Sequence, residues 1–112
     1  MAGQNVWLKS GRVLDLLQGA TTTVTGDWRY KDSPYTAIQA TITGTGVVSA
    51  TVIIDVSNDG VNAVSTSLGT ITLSGTTSNS DGFVTQAPWK YMRARITGIT
   101  GTNATVGVTM GS

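Results

Sequence analysis

Six aspartates, Asp15, Asp27, Asp32, Asp55, Asp59 and Asp81, are the carboxylates this sequence offers for acid–base chemistry. The chain has no histidine, no cysteine and no glutamate. That removes Ser-His-Asp and Cys-His nucleophiles, thiolate and imidazole metal sites, and the commonest general base. A pair of aspartates could still act as acid and base on a glycosidic bond. Most of the six, however, sit among turn-forming residues, where Asp hydrogen-bonds its own backbone. "DVSNDG" (55–60) gathers Asp55, Asn58 and Asp59, yet it lacks the alternating oxygen ligands and closing Glu of a calcium loop. It reads as a tight turn with an Asp-Gly signature. "GTG" and "GTN" lack the lysine and following helix of a phosphate loop. The expectation is a protein that is not an enzyme, with no cofactor and no metal.

The other side chains with something to offer are aromatic and cationic, and they recur together. "DWRYK" (27–31) and "WKYMRAR" (89–95) each interleave Trp and Tyr with Arg and Lys. Trp, Tyr and Arg are the types enriched in protein-interface hot spots. The candidate contact residues are therefore Trp7, Lys9, Arg12, Trp28, Arg29, Tyr30, Trp89, Tyr91, Arg93 and Arg95. The alternative is architectural: the rings close the ends of a β-sandwich and the arginine stems lie over them. Single-strand nucleic-acid binders also combine aromatics with cations. Their basic footprint exceeds the net charge of +1 found here, so no nucleic-acid partner is expected.

The elements that must position these residues read as strands. In "TAIQATIT" (36–43) Ile38, Ala40 and Ile42 alternate with polar residues, and in "VVSATVIIDVS" (47–57) Val48, Ala50, Val52, Ile54 and Val56 form one face. Met92, Ala94 and Ile96 alternate with Trp89, Tyr91, Arg93 and Arg95, which predicts one face on the core and one outside it. Ala104, Val106, Val108 and Met110 share a face in the last strand. "RVLDLLQG" (12–19) and "TTTVTGDWRY" (21–30), the latter broken at Gly26, read as further strands. "LGTITLSG" and a short "FVTQ" add two more. Turns are expected at "KDSPY" (31–35), "GTG" (44–46) and "SNDG" (57–60), with an exposed polar loop at "TTSNSDG" (76–82). The two final segments, joined by "ITGTN", predict a C-terminal hairpin. The sum is an all-β, two-sheet antiparallel sandwich of about eight short strands. Residues 1–12 read as an extended N-terminal arm and residues 13–112 as the sandwich domain.

Composition fits that class. The chain has 112 residues, 14 glycines and only 12% charged residues; a usual soluble protein has roughly 25%. The start lacks the apolar core of a secretory signal. The most apolar run, "VVSATVII", is far shorter than a membrane span, and no membrane partner is expected. A protein made in a cytoplasm and built into a particle that leaves the cell would reconcile this with the exposed, Thr/Gly-rich makeup. A mature fragment whose signal has been removed would also fit.

From about residue 50 onward the sequence resembles small virion proteins of tailed bacteriophages. "ATVIIDVSNDG", "LGTITLSG" and "APWKYMRARITGITGTNATVGVTMG" carry the likeness, in which a strand ending S-x-D-G precedes a strand of the form W-x-Y-x-R-A-x-(V/I)-T. A Gly-Thr turn and a last alternating strand close the domain. With its size and composition, the chain is similar to head decoration (cement) proteins of the jelly-roll type. The resemblance implies a homo-oligomer, a dimer before a trimer, clamped across neighbouring major-capsid subunits and stabilising the shell. It implies location on the capsid surface of a virion after synthesis in the host cytoplasm, with the arm reaching a neighbouring subunit. Tail and receptor-binding proteins share the pattern. Two other functions therefore stand beside it: a carbohydrate-binding or host-recognition module, and a tail structural subunit.

Overall fold

A computed structural model describes residues 13–30, 36–86 and 89–111. The arm, with Trp7, Lys9 and Arg12, and the turn at 31–35 lie outside the described residues. The described chain is all-β and antiparallel, without a helix: β1 (Val13–Ala20), β2 (Val24–Thr25), β3 (Arg29–Tyr30), β4 (Thr36–Ser57), β5 (Gly69–Thr85) and β6 (Tyr91–Gly111). The sheet order is β1-β6-β4-β5, and β2 and β3 also pair with β6. β1, β2 and β3 thus follow one another along β6, from Val13 opposite Gly111 to Tyr30 opposite Tyr91.

Six strands replace the expected eight because three of them are long, at 22, 17 and 21 residues. The "GTG" at 44–46 does not reverse the chain. Both sides of it stay paired with β5 and β6, and only the register shifts there. The expected C-terminal hairpin is likewise absent. Residues 91–100 and 105–111 do not pair with each other; each pairs with its own part of β4. A glycine-rich break looks alike in sequence whether the chain bends or reverses. Here Gly101 (φ 129°) and Asn103 (φ 57°) bend the strand. The loop expected at 76–82 is strand too, because all of those residues except Thr77 are ladder partners of residues 39–43 and 47 of β4. Tertiary pairing overrides their low β-propensity. The Asp-Gly turn exists, but the connection from β4 to β5 runs on through residue 68.

The three long strands bend at one level. Val48, fully buried, fills the inside of the elbow. A Cβ on Gly44 would lie 2.7 Å from its Cγ1, and one on Gly101 would lie 2.8 Å from it. Beyond the elbow the strands turn back: a Cβ on Gly69 would lie 2.8 Å from Cζ of Phe83, so the two ends of β5 face each other across the core. Period-two alternation supplies that core. Ile38, Ala40 and Ile42 come from one side of the elbow in β4, and Val48 to Val56 at alternate positions from the other. Met92, Ala94, Ile96 and the run Ala104–Met110 add the β6 contribution, all as the alternation predicts. Leu16, Ile71 and Leu73 complete it.

Candidate interaction surface

With one face of each strand committed to the core, the other face is left for contact. Tyr91, Arg93 and Arg95 alternate with the buried Met92, Ala94 and Ile96, so all three project outward from β6. β3 lies beside them and sets Tyr30 opposite Tyr91. The rings meet edge to face, with centroids 5.6 Å apart and planes at 77°. The Arg93 guanidinium carbon sits 4.5 Å from the centroid of Trp28, a cation–π contact. The two aromatic–cationic segments, more than 50 positions apart in sequence, thus form one cluster.

β4 supplies the residue that fixes it. Asp55 occupies an outward position directly opposite Arg93, yet it is only 3% exposed. Arg93 Nε donates to Asp55 Oδ2 at 3.1 Å. Arg95 Nε donates to the same oxygen at 3.0 Å, and Arg95 Nη2 donates to Oδ1 at 3.3 Å. Burial pushes the Asp55 carboxyl up. The hydrogen bonds and charges of Arg95 and Arg93 outweigh that and hold it below its ordinary value. The same hydrogen bonding raises Arg95. The sequence places Asp55 at the end of the strand 47–57 and in the turn segment 55–60, without a partner. Its outward parity inside the strongest strand was the available signal.

The loop after β4 closes one side of the cluster. Asp59 Oδ1 accepts from the Ser57 hydroxyl and from the N–H groups of Val61 and Asn62, and Oδ2 accepts from Asn62 Nδ2. The backbone bond from Asn62, then those from Ser57 and Val61, hold its carboxyl far below the usual range. This is turn chemistry, in which the aspartate ties its own loop. Gly60 (φ +70°) lies under the Tyr91 ring, where a Cβ would sit 3.4 Å from the ring carbons. The Lys90 N–H donates to Asn58 Oδ1 at 3.3 Å and joins the loop to the start of β6.

Two of the other candidates stand apart. Trp89 precedes β6, so the alternation that turns Tyr91, Arg93 and Arg95 outward does not extend to it, and it packs against the core instead. Arg29 is exposed and donates from Nε to the backbone carbonyl of Asp15 at 3.2 Å, linking β3 to β1. Trp28, Tyr30, Tyr91, Arg93 and Arg95 remain, with Tyr30 52% exposed. Asp27 and Asp15 line a polar cleft of about 270 Å³ beside Arg29, and Asp55 is not part of its lining. Among the described residues no group of three or more acidic side chains is placed to hold a metal ion.

Fold and site together define an all-β antiparallel protein with a preformed aromatic–arginine surface. Comparison with known proteins gives a likeness of the same kind, in fold. Among solved structures the SPBc2 prophage-derived protein YomS is similar to this chain, with a TM-score of 0.58 and 14% identity over 91% of this chain and 93% of that one. No family model matches the sequence, and no curated protein does.

Proposed function

We propose that this chain is a non-enzymatic structural protein of a tailed-phage virion. It binds the outside of the capsid and stabilises the shell by bridging major-capsid subunits. The observation that carries the reading is the outer-face cluster of Trp28, Tyr30, Tyr91, Arg93 and Arg95 held in place by Asp55. Aromatic rings and arginines fixed before contact lose less side-chain entropy on binding, and they are the usual anchors of protein interfaces. A fold neighbour from a prophage supports the phage origin.

The finer architecture belongs to the same proposal. Counting each long strand as two at the elbow, residues 13–20, 104–111, 36–43 and 78–85 form one layer. Residues 24–30, 91–100, 49–57 and 69–76 form the other. That succession, two four-stranded layers wound from four antiparallel ribbons, is jelly-roll topology.

Binding to the assembled shell stabilises it by mass action. The test adds purified protein to particles stripped of it and follows genome release on heating. Wild-type protein should bind and raise the release temperature, and Trp28→Ala/Tyr91→Ala should bind at least about tenfold more weakly, the loss of roughly 1.4 kcal/mol at a hot spot. Unchanged genome retention without the protein would sink the reading. Saturable quenching of tryptophan fluorescence by a saccharide would favour host recognition instead.

A further inference from the structure

We propose a second interaction surface: the open edge of β5 at residues 69–76, which pairs antiparallel with the same segment of a second copy of this chain. The pairing is argued from the edge itself, and its use in bridging rests on the capsid reading above. β4 pairs with this segment on one side without interruption, from Val47 opposite Thr76 to Ile54 opposite Gly69. Among the described residues no strand lies on the other side. A free edge presents a row of unpaired backbone donors and acceptors, and proteins usually blunt it with charges, prolines or bulges.

The two edges of this sheet are treated differently. The β1–β3 edge is blunted: its register with β6 shifts between Asp15 and Leu17 and again before Ala20. It is also interrupted twice and carries Asp15, Asp27 and Arg29. The segment "GTITLSGT" of β5 has no charge, no proline and no bulge. Beyond it the edge is broken by Thr77 (φ 69°) and carries Asp81 and Gly82.

The occupant follows from the sequence of the edge. A two-fold axis through Thr72 sets Thr72 opposite its own copy, Thr70 opposite Ser74, and Ile71 opposite Leu73. Thr70, Thr72 and Ser74 are exposed on the outer face, and Ile71 and Leu73 are buried on the inner face. Hydroxyl therefore meets hydroxyl across the outer face, as in favourable cross-strand pairs, while Ile71 and Leu73 stay in the core of their own copy. Such an isologous contact closes at two copies. Its axis is perpendicular to the sheet, so both Asp55–Arg93 surfaces face the same way, as two contacts on one shell require.

Light scattering on the purified full chain, without capsids, tests the proposal. A particle of twice the 11.6 kDa chain mass is expected at tens of micromolar. Thr70→Lys/Thr72→Lys should keep the wild-type circular dichroism and raise the dimer dissociation constant about tenfold or more, from like charges directly opposite at position 72 and diagonal between positions 70 and 72. Mixing Thr72→Lys with Thr72→Asp should restore association as a mixed dimer, which separates edge pairing from misfolding. A wild-type monomer, a trimer, or a dimer indifferent to the lysines would overturn the proposal. A monomer that still binds particles would leave the capsid reading standing, and a dimer that ignores particles would do the reverse.

Discussion

Removing the Asp55 carboxylate tests whether the outer cluster is held together as the structure implies. Asp55→Ala deletes the acceptor of three hydrogen bonds from two guanidinium groups. Hydrogen bonds to charged groups contribute roughly 1.5–3 kcal/mol, and breaking a fully buried ion pair costs roughly 3–5 kcal/mol. The arginine side chains are 23% and 37% exposed, so they regain water when the carboxylate leaves. That discounts the loss to about 2 kcal/mol. In a domain of this size each kcal/mol moves the melting temperature by about 4 °C, so Asp55→Ala should melt about 8 °C lower.

The pH dependence gives the experiment its second arm. The folded-state pKa of Asp55 is depressed below 3.8. Its contribution is therefore complete above the unfolded value and is lost as pH falls through the folded one. Melting curves followed by circular dichroism should show a constant gap between wild type and Asp55→Ala from pH 7 to about pH 5. The gap should narrow below pH 3.8. Asp59 also loses its hydrogen-bonded charge in acid, but in both proteins, so it cancels in the difference. A variant within about 0.5 kcal/mol of wild type at pH 7, or a gap indifferent to acid, would refute the assignment. So would a stabilised variant, since relief of carboxylate burial would then outweigh the pairing.

Two further outcomes follow from the core and the elbow. Ile54→Ala, at a fully buried site, should cost about 2–5 kcal/mol in urea unfolding; Val84→Ala, at a side chain 71% exposed, should stay within about 0.5 kcal/mol. Gly44→Ala must place a Cβ 2.7 Å from Val48 Cγ1 and 2.9 Å from the Thr102 carbonyl. It should cost about 1–3 kcal/mol from overpacking, whereas Gly98→Ala, with open space around it, should be near neutral in the same assay.

How far these features could be read from sequence depends on whether a local pattern encodes them. The inward faces of β4 and β6 were legible because alternation has a period of two and the buried side is apolar throughout. The partnership of Asp55 with Arg93 and Arg95 was not, because it depends on the register between strands almost forty positions apart. No local pattern states a register. Residues 76–82 misled for a related reason: they lie on an edge strand with few buried side chains, so no alternation marks them. The breaks at 44–46 and 99–103 were visible, but whether a glycine break bends or reverses a chain is decided by what each flank pairs with afterward. Trp28 and Tyr91 could be named as candidates from their types. That they share one surface became visible only when β3 was set beside β6.

The arrangement of charge bears on how such a surface binds. Asp55 neutralises one of the two guanidinium charges beside it, so Arg93, Arg95 and Asp55 together carry one net positive charge on a chain whose total is +1. Long-range steering of a partner is therefore weak, since it scales with the net field a surface projects. What remains is short-range. Trp28 is held under Arg93, Tyr30 against Tyr91, and both arginines against a carboxylate that is itself almost inaccessible. An immobilised side chain avoids the roughly 0.5–1.5 kcal/mol of ordering that a free one loses on binding. A surface of this kind gains more from shape fit than from charge, which suits the docking proposed here on a preassembled, repeating lattice. On such a lattice many fixed sites of one shape are presented at once, and a rigid face need match only that shape.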